Sequence, residues 1–196
     1  GLPGNSKGQL ANRIEAEITR FDQRQKQGAM TVLDGLQRIR GLAGSGKTVV
    51  LAMKAALMHL RYPQARILYT FYTRSLYQHI QRLITRFYRQ FDDKDPDWDR
   101  LKIMHGWGGY RVEGVYSNLC QAYGIAPRSF SDVLKTGIRD PFDTVCSELM
   151  EFVNLMPMYD YIFIDEGQDF PASFIQLCME ISEKHRVVFA YDELQT

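Results

Sequence analysis

The chain has 196 residues, 45% of them hydrophobic and 24% charged. That length and balance suit a compact soluble domain with its own core and exclude disordered, collagenous and coiled-coil proteins. The apolar runs fall well short of the roughly 20 residues a membrane-spanning helix needs, and 24 Lys and Arg against 23 Asp and Glu leave a formal charge of +1, so any nucleic-acid surface must be a local patch.

The three cysteines, Cys120, Cys146 and Cys178, form no CxxC pair. A disulfide framework or zinc site is not expected, and a reducing, cytoplasmic setting is. No signal-peptide pattern opens the chain, and a first residue of Gly rather than Met reads as a processed or excised piece. The histidines are widely spaced and read as surface or core residues rather than ligands.

In chain order, residues 1–10 read as a loose lead-in, and 11–30 as a short polar helix with Ile14, Ile18 and Phe21 on one face. Gln37–Leu42 predicts a strand, Thr48–Leu60 a mostly buried helix ended before Pro63, Arg66–Tyr72 a second strand and Arg74–Gln90 a second helix. Residues 91–100 form an acidic loop, 101–104 a short strand, 105–110 a glycine-aromatic loop, and 115–155 helices with breaks. Tyr161–Asp165 is an apolar run ending in acid, which fits a central strand. Phe174–Glu183 predicts a helix and Val187–Tyr191 another buried strand. Strands alternating with helices predict an α/β fold with a parallel sheet. No internal repeat is present.

Gly41-Leu42-Ala43-Gly44-Ser45-Gly46-Lys47-Thr48 matches G-x-x-x-x-G-K-[ST] between a predicted strand and a predicted helix. Glycines let the backbone curl so that successive N–H groups of Gly41, Ala43, Gly44, Ser45 and Gly46 face phosphate oxygens, and the helix start adds its positive end. Lys47 can reach the outer phosphates, and the Thr48 hydroxyl can ligate Mg²⁺. Bound phosphate and Mg²⁺ are therefore expected. The acid run Asp165-Glu166-Gly167-Gln168-Asp169 ends an apolar strand, the edge where open α/β sheets bind ligands. Asp165 is the natural Mg²⁺ partner, and Glu166 the base that activates water.

DEGQD resembles the DExQD box of the UvrD/Rep group of superfamily 1 helicases. The resemblance spans about residues 20–196 and implies that the bound phosphate is that of ATP, held by a P-loop NTPase of RecA-like form, a parallel sheet flanked by helices, with a mostly helical insertion at about 87–158. Asp22-Gln23-Arg24-Gln25 looks like that group's Q motif, with Gln25, chosen over Gln23 on spacing, reading adenine. Thr70, Phe71, Thr73 and Arg74 resemble the stretch touching single-stranded nucleic acid, and His105-Gly106-Trp107 the next contacting stretch. AYDELQ resembles the block whose glutamine, here Gln195, senses the γ-phosphate. HGWGG with YDELQ departs from UvrD itself and looks more like a helicase-like branch sometimes joined to a NERD domain. The expected partners are single-stranded DNA or RNA and a second RecA-like domain, which the chain, stopping at Thr196, lacks. Slow hydrolysis and no unwinding by this chain alone follow.

Two features keep two readings each. Arg61, Arg66, Arg74, Arg82, Arg86 and Arg89, interleaved with Tyr72, Tyr77, Phe87 and Tyr88, have the composition of a single-strand groove. They equally suit a solvated helix neutralised by Asp92, Asp93, Asp95, Asp97 and Asp99. Trp107 suits either stacking on a base or anchoring a loop. The rival functions are a nucleotide-gated regulatory module without motor activity and a small-molecule kinase.

Overall fold

The computed structural model describes residues 34–41, 46–109 and 111–192. Five strands form one all-parallel sheet: β1 (Leu36–Gly41), β2 (Ile67–Phe71), β3 (Leu101–His105), β4 (Tyr161–Ile164) and β5 (Val187–Asp192). Their spatial order is β1-β5-β4-β2-β3. The central strands β2 and β4 are buried along their whole length, as expected for apolar strands covered on both faces.

Among the described residues, six helices cover the sheet. Helix α1 (Gly46–Arg61) follows β1, and α2 (Tyr77–Arg89) follows β2 after a single 3₁₀ turn at Arg74–Leu76. Between β3 and β4 lie α3 (Val115–Ala122), α4 (Phe130–Lys135) and α5 (Pro141–Phe152), and α6 (Ala172–Glu180) joins β4 to β5. The α/β expectation therefore holds, and each expected strand and helix within the described residues falls within a few residues of its observed counterpart. The stretch 87–158 is more than an insertion: it holds strand β3 of the sheet, and its helices form much of one outer layer.

The faces follow from period-two alternation along the strands. Ile67, Tyr69 and Phe71 of β2 pack with α1 and α2, alongside Phe163 of β4. Leu68 of β2 and Ile162 and Ile164 of β4 point the other way, into α3, α5 and α6. Moving outward from β1 through β2 to β3 and then back through β4 to β5 requires this split if every crossover is right-handed.

Local chemistry sets the ends of the elements. Helix α1 is buried at every residue from Leu51 to His59, all round its axis, which an amphipathic surface helix would not be. Helix α5 starts where the Asp140 carboxylate accepts the Asp143 N–H and Pro141 occupies the first turn. Helix α4 starts on the Ser129 hydroxyl, which accepts from Asp132 N. Among the described residues no helix is long and apolar enough to cross a membrane.

Candidate functional site at the carboxyl edge of the sheet

Strands β2 and β4 are neighbours, yet the chain leaves them toward opposite faces, to α2 and to α6. Their carboxyl ends therefore border the crevice in which open α/β sheets bind ligands. Two chemically distinct surfaces open there, a polar rim over β1, β5 and β4, and an aromatic cleft over β2 and β3.

Asp165, the first residue beyond β4, anchors the rim. Its N–H donates to the Thr70 carbonyl at 2.8 Å, which extends the β2–β4 pairing by one step. The side chain is 3% exposed. One carboxylate oxygen accepts the Tyr69 hydroxyl at 2.8 Å, and the other accepts the Glu166 N–H at 2.9 Å. Burial pushes the Asp165 carboxyl above the usual carboxylate range, against the pull of hydrogen bonds from the Tyr69 and Thr48 hydroxyls and the Glu166 N–H. The nearby Glu166 charge adds to the upward push. Thr48, in the first turn of α1, thus lies beside Asp165. Its neighbour Lys47 forms an ion pair with Asp192, the last residue of β5, which lies opposite Gly41 in register.

The polar rim therefore joins five side chains from three distant stretches of chain. Thr48 lies beside Asp165, Lys47 pairs with Asp192, and Gln168 links the turn after β4 to the end of β5. The Gln168 Oε1 accepts Asp192 N at 3.0 Å, and its amide nitrogen lies 3.2 Å from the Asp192 carboxylate. Tyr69, Asp192 and Gln168 are site residues that sequence reasoning missed. Gln168 and Asp192 lay inside DEGQD and AYDELQ, but nothing in the sequence assigned them a partner. Tyr69 carried no local signal, because its role depends on β2 lying beside β4.

The residue after Glu166 must be small. A Cβ on Gly167 would sit 2.0 Å from the Phe189 ring. That close approach holds the 3₁₀ turn Gly167–Asp169 against β5. Glu166 itself is left-handed, with φ 55° and ψ 40°, a conformation that costs a non-glycine residue about 1–2 kcal/mol. Its carboxylate accepts three hydrogen bonds: Tyr72 N at 3.1 Å and Thr73 N at 2.8 Å on one oxygen, and the Thr73 hydroxyl at 2.7 Å on the other.

The second surface is a cleft of about 490 Å³ bordered by Tyr72, Arg74, His105, Trp107, Phe130 and Phe142. Tyr72 and Phe130 are both more than half exposed. Trp107 is stacked on Phe142 at 5.2 Å between ring centroids, and its indole N–H donates to the Arg128 carbonyl at 2.9 Å. It meets Tyr116 and Phe130 edge-on. Of the two readings of Trp107, these contacts match the loop anchor. His105 closes β3 and is buried; its Nδ1 accepts the Gly108 N–H at 3.3 Å. Burial, with the Arg74 charge second, pushes the imidazole down to about 4, so it is neutral at pH 7. Gly108 has φ 80°, and a Cβ there would collide with Ser117 and Gly114.

Thr70 and Phe71 require a correction as strand contacts. They are 0% and 1% exposed, because β2 is a central strand with helices on both faces. Neither offers a side chain to a ligand. Thr73 and Arg74, beyond the strand, are exposed.

The arginines of 61–90 do not form one groove either, because β2 divides them. Arg66 lies at the amino end of β2 and pairs with Asp160 at 3.2 Å, while Arg74 lies at the carboxyl end. Arg82, Arg86 and Arg89 share the outer side of α2. Arg89 pairs with Asp95 at 2.5 Å and Arg82 contacts Gln78 at 3.3 Å, so the acidic loop neutralises part of this face.

Gly41 ends β1 and Gly46 begins α1. Gln25, Ala43, Gly44, Ser45 and Gln195 lie outside the described residues. No protein-family model matches the chain, and no curated protein matches it.

Proposed function

We propose that this chain is the ATP-binding domain of a superfamily 1 helicase or translocase, a P-loop, RecA-like unit that couples nucleotide hydrolysis to movement along single-stranded nucleic acid. The ion pair between Lys47 and Asp192, with Thr48 next to Lys47 at the start of a 16-residue helix and beside Asp165, carries this reading. A P-loop and an acidic strand end act together only if the fold brings them to one rim.

The donors suit a magnesium nucleotide. A hydroxyl and a carboxylate are hard oxygen ligands, and Mg²⁺ characteristically takes one or two such groups and completes its shell with water and phosphate oxygens. Bound magnesium would screen phosphate charge there. Lys47 would exchange its Asp192 partner for phosphate oxygens, Thr48 and Asp165 would hold the metal, and Glu166 would take a proton from a water whose oxygen attacks the outer phosphorus, the diphosphate leaving. A single strand would lie along the aromatic cleft, with Arg74 toward its phosphates and Tyr72 toward its bases.

The test is binding of a fluorescent ATP analogue with and without Mg²⁺, paired with a labelled oligothymidylate. Magnesium-dependent nucleotide binding and salt-sensitive oligonucleotide binding support the reading. Nucleotide binding without oligonucleotide affinity would favour a regulatory module, and failure to bind nucleotide would defeat both.

A further inference from the structure

The three-residue segment that follows β2 divides its side chains between the two surfaces. Tyr72 and Arg74 border the aromatic cleft. Thr73, between them, turns toward β4 and donates both its N–H and its hydroxyl to Glu166, while the Tyr72 N–H supplies the third bond. A second contact runs beside it: the Tyr72 ring meets Phe170 edge-on at 5.6 Å, and Phe170 ends the turn that begins at Glu166.

We propose that Thr73 is a positioning residue, a latch that holds the Glu166 carboxylate against the 72–74 segment until a strand in the cleft draws that segment away. The inference rests on the reading of Glu166 as the water-activating base. Three of the roughly four acceptor positions on the Glu166 carboxylate are taken by these donors, which fixes the carboxylate against residues 72–73 rather than toward a water at the rim. The left-handed backbone of Glu166 matters equally. Such a conformation persists only where surrounding contacts over-determine it, and the three bonds from residues 72–73 supply that determination. A phosphate on Arg74 and a base against Tyr72 act on both flanks of Thr73. The peptide between them cannot shift without changing the distances to Glu166.

Coupling is reciprocal: if strand binding opens the latch, opening the latch strengthens strand binding by the same factor. Thr73→Ala removes one charge-assisted bond, so labelled oligothymidylate should bind about three- to tenfold more tightly to the full chain. Phosphate release without a strand should rise by a similar factor, and its stimulation by a strand should shrink. Thr73→Ser keeps the hydroxyl and should behave as the wild type. Glu166→Asn tolerates the left-handed backbone but is too short to reach Thr73. It removes all three bonds and should tighten oligonucleotide binding at least as much as Thr73→Ala, although turnover is lost. Adding Thr73→Ala to it should change binding no further. Thr73→Ala and Glu166→Asn open the latch from opposite sides, so either one tests it if the other folds poorly.

Weaker oligonucleotide binding by Thr73→Ala would overturn the latch and make Thr73 a direct strand contact. Unchanged binding, or slower strand-free turnover, would also overturn it. Normal uptake of the ATP analogue with silent Thr73 variants defeats the latch alone, whereas no uptake by the wild type defeats the reading on which it rests.

Discussion

The polar rim and the aromatic cleft lie on one edge of one sheet but are built on opposite plans. The rim is made from short contiguous segments at strand ends, Lys47-Thr48, Asp165 to Gln168 and Asp192, and its contacts are ion pairs and hydrogen bonds. The cleft gathers residues from five places, the end of β2, the end of β3, α4, α5 and the turn after β4, and most of its contacts are ring against ring. Charge chemistry needs a few groups at fixed spacing, which a motif can encode. An aromatic wall needs only area, which any elements can contribute once packed.

The sharpest way to break this contrast is to remove ring area from the cleft. Phe142 stacks on Trp107 and packs against Phe174 at 5.1 Å. Phe142→Ala should cost about 3 kcal/mol of stability, in the range of buried aromatic truncations, read as a lower denaturant midpoint. A rim residue should behave differently. Lys47→Ala should leave that midpoint within about 1 kcal/mol, because its Asp192 partner is partly exposed. It should nevertheless weaken binding of the ATP analogue by about 100-fold through the loss of charge-assisted phosphate contacts. A large stability loss at Lys47, or a negligible one at Phe142, would erase the distinction.

Within the cleft, exposed and anchored rings should separate. Tyr72→Ala should weaken oligonucleotide binding by about tenfold, the lower part of the range for one stacked base. Trp107, held by Phe142 and the Arg128 carbonyl, should show little change in fluorescence on strand binding. The smallest effect concerns pH. The folded-state value of His105 lies near 4, below the ordinary histidine value. As pH falls from about 6.5 toward 4, the unfolded chain therefore binds a proton that the folded chain refuses, and stability declines through that window. His59 is also pushed down by burial and shares the slope. His105→Gln should flatten the dependence of the midpoint between about pH 7 and about pH 5 without removing it.

Legibility followed the range of the interactions. The strands and helices from β1 to β5 were readable because periodicity and turn chemistry act within a few residues. Tyr161–Ile164 could hardly be anything but a buried strand. The candidate rim was half readable: Lys47, Thr48, Asp165 and Glu166 announce themselves by residue type and spacing. Asp192 and Tyr69 do not, since their importance comes from lying opposite Gly41 and beside β4 in the sheet. Thr70 and Phe71 show the reverse failure. A motif placed them at a surface, and the strand's central position buried them.

The sequence by itself determined the element order, the parallel α/β class and the chemical groups presented at the strand ends, because each depends on neighbouring residues. Only the tertiary structure decided that β5 would lie between β1 and β4, that Asp192 would face Lys47, that Thr73 would hold Glu166, and that scattered rings would enclose one cleft. Those outcomes depend on strand order and packing, which bring together residues that no local interaction could pair.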